Sequence, residues 1–125
     1  MKYQSALIFI FIFSCQNYSF ALDCKDGENN QLDMSQCSSQ KLEESTKKIN
    51  KVYNEYRKSL TDDEKKSLRD IQMAWIKYKD LRCKFSAAGY EGGSMQGMVM
   101  TNCLTDVTNQ RLKELEDDLK ERNSR

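Results

Sequence analysis

Gln72-Met73-Ala74-Trp75-Ile76-Lys77-Tyr78-Lys79-Asp80-Leu81-Arg82-Cys83 holds the chain's single tryptophan and ends on a cysteine. Leu68, Ile71, Trp75, Tyr78, Arg82 and Phe85 recur at steps of three and four, the spacing of one helix face. Trp75 and Tyr78 combine large apolar rings with a polar handle, which suits the centre of a seam between helices. This face predicts the core helix of a small bundle, with the other elements packed around it. Gln72, Lys79, Asp80 and Arg82 set polar groups on or beside the seam, where each needs a partner or a functional surface.

Upstream, Thr61-Asp62-Asp63-Glu64 is a capping box: the threonine oxygen caps the helix and Glu64 reaches back from its third position. Three acidic residues in the first turn also suit the helix dipole. The core helix therefore starts after a turn at Leu60 and Thr61 and runs to about Ala87. Before that turn, residues 32–60 contain no glycine or proline, and Ile49, Val52, Tyr53, Tyr56 and Leu60 share one helix face. Ahead of Ile49 the face thins to Met34, Cys37 and Leu42, so helix is best marked in the second half. So short a connection predicts that these two helices lie antiparallel. Residues 22–31 are polar and turn-rich, an irregular arm that Cys24 would staple to the helix.

Downstream, Gly89-Tyr90-Glu91-Gly92-Gly93-Ser94-Met95-Gln96-Gly97 carries four of the five glycines. A phosphate-cradling loop would need the P-loop lysine and a preceding strand, and the sequence offers neither. A structured surface loop is the expectation. From about Met98 to Arg122 a third helix follows, with Leu104, Val107, Leu112, Leu115 and Leu119 inward and Arg111 near that face. Its outer side is dense in charge, a solvated face with i,i+4 pairs such as Glu116 with Lys120. Residues 123–125 read as a frayed tail.

At the other end, Met1-Lys2 and an apolar run over residues 6–13 precede a small-residue exit at Ser19-Phe20-Ala21. This is the pattern of a secretory signal peptide over residues 1–21, leaving 22–125 as one domain. The run is too short for a transmembrane segment, which takes about 20 apolar residues. A rival reading takes Ile12-Phe13-Ser14-Cys15 as a lipoprotein processing site with a lipid anchor at Cys15, although Phe13 fits that pattern poorly. Both readings place the protein outside the cytoplasm, in the periplasm or secreted.

Removing 21 of 125 residues leaves 104, enough for one modest core. Of the 20 basic side chains only Lys2 is lost, so 19 balance the 19 acidic ones and the remaining chain is neutral. Neutrality argues against nucleic acid or an anionic membrane as partner. Cys24, Cys37, Cys83 and Cys103 remain, an even number that reads as two disulfides with three connectivities open. Cys24 with Cys37 and Cys83 with Cys103 are favoured because each pair joins neighbouring elements. The second pair would clamp the glycine-rich loop, at about 3 kcal/mol of loop entropy. No CxxC spacing and no histidine occur, so neither a metal site nor a cofactor is expected.

Without histidine the usual triads and dyads are excluded, and oxidised cysteines are not nucleophiles. Carboxylate pairs such as Asp62 with Asp63 and Asp117 with Asp118 fall in exposed helical contexts. A hydrolytic pair needs one acid in an apolar pocket. The chain reads as a binding protein rather than an enzyme.

Several pieces, in order, resemble the LprI-type lysozyme inhibitor family. They are Cys24; Gln31-Leu32-Asp33-Met34-Ser35-Gln36-Cys37; Ile49-Asn50-Lys51-Val52-Tyr53; the stretch from Gln72 to Cys83; Gly92-Gly93-Ser94; and Cys103-Leu104 with Thr108, Arg111 and Leu115. The order and the four cysteines together carry the resemblance. It departs at Ser45-Thr46, where the family often has Ala-Asp, and at Lys79, where an arginine is usual and bidentate pairing is lost. The resemblance implies an exported helical protein that inhibits a lysozyme, of unspecified class, by binding it. It transfers no inhibitory residue.

Candidates for partner binding follow from the loop itself. A lysozyme cleft holds two carboxylates, which hydroxyl, amide or cationic donors on a rigid loop would meet. Ser94 on the Gly92-Gly93-Ser94 segment is the first candidate and Tyr90 an aromatic anchor. Lys79 and Arg82 near the loop's root are weaker ones. For Gly92 and Gly93 plain turn geometry competes with contact, and for Arg82 an ion pair toward Asp80 or Glu91 competes. The alternative function is an envelope interaction module for another partner, with Met95, Met98 and Met100 as an adaptable apolar surface; core packing competes there.

Overall fold

The computed structural model describes residue 24 and residues 30–125. The signal peptide expected over residues 1–21 and the alternative anchor at Cys15 lie outside the described residues. Among those residues the chain is all-α: α1 (Gln31–Lys58), α2 (Asp62–Ala87) and α3 (Gln96–Asn123), with one 3-10 turn, Ala88–Tyr90, after α2. Two disulfides, Cys24–Cys37 and Cys83–Cys103, form the favoured pairing, each with Cα atoms 5.5 Å apart.

The first two helices start where side chains can satisfy the free backbone donors of the first turn, whereas α3 starts after Met95 with no side-chain cap. Asn30 caps α1, its Oδ1 accepting from the Asp33 amide at 3.0 Å. Helix therefore covers the thin first half of α1 as well as the apolar second half. At α2 the expected capping box is complete: the Glu64 amide donates to Thr61 Oγ1 at 3.4 Å, and the Thr61 amide donates to Glu64 Oε2 at 2.8 Å.

The helix ends show the topology. Gln31 Nε2 lies 3.8 Å from Met95 Sδ, and Arg122 Nη2 donates to the Ser59 carbonyl at 3.1 Å, so α1 and α3 run parallel. Arg122 also grips Glu64, while Cys103 bonds Cys83, so α2 runs antiparallel to both. The antiparallel helices α1 and α2 touch each other little directly and are joined by α3, which packs most extensively on α1 and next on α2. The core cluster draws on every helix: Ile49 and Leu60, Leu68, and Leu112 and Leu115, with Tyr53, Tyr56 and Trp75 against it. Leu115 is completely buried, which is worth about 2 kcal/mol. Toward the disulfide end the buried residues are small, Cys37, Ser38, Ser45 and Thr108, leaving room for α1 and α3 to approach closely.

One expectation is corrected. The face of Leu68, Ile71, Trp75, Tyr78, Arg82 and Phe85 is not the seam as a whole, because Ile71, Tyr78, Arg82 and Phe85 are exposed. The inward line is Leu68, Gln72, Trp75, Lys79, Cys83 and Ala87, all buried or half-buried. A helix advances about 100° per residue, so the true seam is turned by roughly one residue from the most apolar line. Cys83 must face α3 to reach Cys103, and that requirement outweighs the burial of three exposed apolar side chains. Elsewhere the shifts are small. The third helix starts at Gln96 rather than Met98, and Lys113 pairs with Asp117 at 2.9 Å while Glu116 and Lys120 form no ion pair among the described residues.

The end opposite the loop is closed by a two-pronged ion pair. Arg122 Nη1 and Nη2 donate to Glu64 Oε1 and Oε2 at 2.7 and 2.9 Å. These hydrogen bonds, with that from the Thr61 amide, lower the Glu64 carboxyl from its ordinary 4.5 to about 2. The folded state then binds fewer protons than the unfolded one between those values, so the stabilisation is complete above about pH 4.5 and fades toward pH 2. In thermal melts, Glu64→Gln should lower Tm at pH 6, with the gap to the parent narrowing as pH falls through that window. A gap independent of pH would show that the charge is not what holds this end. Thr108 poses the opposite case: its buried hydroxyl has no hydrogen-bond partner among the described residues. Thr108→Val should raise unfolding stability in urea by about 1 kcal/mol by removing an unpaired group; a loss of stability would contradict this.

Candidate functional site

The loop joining α2 to α3 is short and internally bonded. The 3-10 turn Ala88–Tyr90 extends α2, and the Glu91 amide donates to the Ala88 carbonyl at 3.3 Å. Gly92 has φ 73°, a conformation that favours glycine. Its amide donates to Gln96 Oε1 at 3.2 Å. The Gly93 amide donates to the Tyr90 carbonyl at 3.0 Å, and a Cβ on Gly93 would sit 3.2 Å from that oxygen. The Gln96 amide then returns to the Gly93 carbonyl at 3.2 Å and starts α3. Turn geometry therefore explains both glycines, as the plainer reading expects.

Ser94 and Tyr90 are exposed on this loop. Beneath it the Cys83–Cys103 bond joins the two helices, with Cys83 completely buried. Beside the loop an open groove of about 430 Å³ lies between Lys84, Ala87, Glu91, Gln96 and Met100. Tyr90, Gly92, Gly93 and Ser94 are thus brought together on one clamped element.

Lys79 and Arg82 are placed differently. Lys79 is half-buried, with Nζ 4.8 Å from the Trp75 ring centroid, so its cation rests on an aromatic face one turn earlier. Arg82 is exposed and donates from Nη1 to Ser86 Oγ at 2.7 Å. The ion pair expected for it toward Asp80 or Glu91 does not form among the described residues; Asp80 is held by Lys84 at 2.7 Å. Helix geometry explains this: Lys84 lies four residues from Asp80 and on its face, whereas Arg82 lies only two away. Arg82 instead borders a groove between α2 and α3 with Tyr78 and Asp106.

Gln72, the polar residue that opens the quoted stretch, has a structural partner. Its Oε1 accepts from Arg111 Nε at 3.3 Å, and Arg111, nearly buried, also donates to Glu114 at 2.7 Å. This tie crosses from α2 to α3. Of the methionines, Met95 is exposed, while Met98 and Met100 are half-buried, Met100 on the wall of the groove beside the loop.

What sequence reasoning missed is the outer side of α2. Ile71, Met73, Ile76, Tyr78, Leu81 and Phe85 are all exposed there. The signal was present, since this helix holds more large apolar residues than one seam can bury. Among the described residues no group of acidic or cysteine side chains is arranged to hold a metal, and no helix is long and apolar enough to cross a membrane.

The chain is 27% identical over 108 residues to an uncharacterized protein of Rhizobium meliloti (strain 1021), covering 76% of this chain and 77% of that one. No solved structure matches. Residues 23–115 match the family described as Lysozyme inhibitor LprI, a span that takes in both disulfides, the Gln72–Arg111 tie and the clamped loop, and the chain belongs to that family.

Proposed function

We propose that residues 22–125 form an exported domain that binds a lysozyme and obstructs its cleft, with the loop between α2 and α3 as the part that enters. Family membership supports lysozyme as the partner. The observation that carries the binding mode is the closure of the loop. A disulfide spans its 20-residue base, the amides of Glu91, Gly92, Gly93 and Gln96 are satisfied within it, and Ser94 and Tyr90 stay exposed at its surface. A loop already held in one shape loses little conformational freedom on binding. Glycosidase clefts of the lysozyme type present a pair of carboxylates. The Ser94 hydroxyl is a donor of the right kind for one of them, since hydrogen bonds to ionised acceptors are the stronger ones. Tyr90 supplies apolar area with little rotamer freedom to lose.

Arg82 is a second donor at the loop's root, its hydrogen bond to Ser86 exposed and exchangeable. Lys79 has a weaker claim because its cation is already placed over Trp75. The alternative, an envelope module that docks through Met95, Met98 and Met100, has the smaller apolar surface, because two of the three are half-buried.

Ser94→Tyr places a bulky ring where the loop would enter the cleft. Inhibition of wall lysis should weaken at least about tenfold, a cost of about 1.4 kcal/mol in binding, with Tm unchanged because the residue is exposed. Inhibition equal to the parent's would remove the loop tip from the contact.

A further inference from the structure

The apolar residues that α2 turns outward are not scattered. Ile71 is 54% exposed, Tyr78 56%, Leu81 58% and Phe85 81%. Together with Ala74 they fall at successive steps of three, four, three and four, the spacing of a second helical seam. At 1.5 Å per residue the line is about 21 Å long. Single exposed apolar side chains are ordinary on a protein surface, but a line of large ones on one helix marks a binding face. It reaches to within five residues of Tyr90, and so leads toward the clamped loop.

The charge along the line selects the occupant. Beside it Lys77 and Arg82 are exposed cations, while Lys84 is neutralised by Asp80 at 2.7 Å and Lys79 is turned inward over Trp75. The rest of the domain compensates, with Glu114, Glu116, Asp117, Asp118 and Glu121 crowding the outside of α3. A second copy seated face to face on the same line would oppose one set of cations with another, which costs energy. An elongated groove with apolar walls and carboxylates at its floor is complementary in both respects. That is the chemistry of a cleft that holds a sugar chain between two acids. Helix-in-groove recognition reads anchors at this spacing.

We propose that the Ile71–Tyr78–Leu81–Phe85 line is the main docking surface for lysozyme, lying along the cleft with the loop at its end. This rests on the lysozyme-binding reading above and extends it from the loop tip to the helix. Phe85 and Leu81 are the anchors, being the most exposed apolar pair on the line. Lys77 and Arg82 are the margins that meet acidic groups.

The test compares the oxidised full chain with Leu81→Ser/Phe85→Ser and with Leu32→Ser, an exposed leucine on α1 rather than α2. Binding to chicken-type and goose-type lysozymes is measured by calorimetry, with Tm as the folding control. The double variant should keep its Tm and lose about thirtyfold or more in affinity, the size of a hot-spot loss. Leu32→Ser should bind like the parent. If the parent binds and the double variant binds equally, the docking line is overturned while lysozyme binding stands. If the parent binds neither lysozyme, both readings fall. Sedimentation showing a parent dimer that the double variant abolishes would assign the line to a second copy. Flotation of the parent, but not the double variant, with phosphatidylglycerol vesicles would assign it to a lipid surface. Either result overturns the proposal.

Discussion

The bond between Cys83 and Cys103 sets how α2 is turned, and most of the molecule's surface chemistry follows from that rotation. Cys83 is completely buried against α3. Residues four and eleven positions earlier share its face, so Lys79 and Gln72 are carried inward with it. Both are polar, and each has a partner: Lys79 rests on Trp75, and Gln72 accepts from Arg111. Burial without those partners would cost about 1–3 kcal/mol for an unsatisfied group. The same rotation carries Ile71, Tyr78 and Phe85 outward, where apolar burial is forgone. A cross-link closing a span of this length returns about 3 kcal/mol, enough to hold a seam that apolar packing alone would not choose.

The other end of the bundle is held by charge. Glu64 begins α2 as part of its capping box and at the same time binds the guanidinium of Arg122 near the end of α3. Arg122 also takes the Ser59 carbonyl from the turn after α1. One carboxylate and one guanidinium thus join all three helices where the apolar core runs out. Between the two ends α3 is the shared element, with Leu112 and Leu115 facing a core built from α1 and α2. The loop is fastened at the end that carries the Cys83–Cys103 disulfide.

Much of this was legible in the sequence. The capping box at Thr61 and Glu64, the apolar spacing of Ile49 to Leu60 and the pairing of neighbouring cysteines pointed to the helices, their order and their cross-links. The rotation of α2 was not legible, because periodicity reports where apolar residues cluster and not which face a neighbour will take. The most apolar line and the line one residue away from it cannot be told apart as the seam without knowing what Cys83 must touch. For the same reason Lys79 and Arg82 read as equals in sequence, yet one lies over a ring and the other borders an open groove. Ser94, Gly92, Gly93 and Tyr90 were legible as a loop because glycines and flanking cysteines delimit it. Their exposure follows from hydrogen bonds that only the folded loop reveals.

These features connect the fold to its proposed use: a cross-link that turns a helix, an apolar line left outside by that turn, and a loop fastened beside it. Titration of the oxidised chain against chicken-type and goose-type lysozymes, following direct binding and wall lysis in the same samples, tests that connection most directly. The account predicts stoichiometric binding to at least one class, with lysis lost in proportion to the complex formed. Binding that leaves lysis untouched, or no binding to either class, would contradict it.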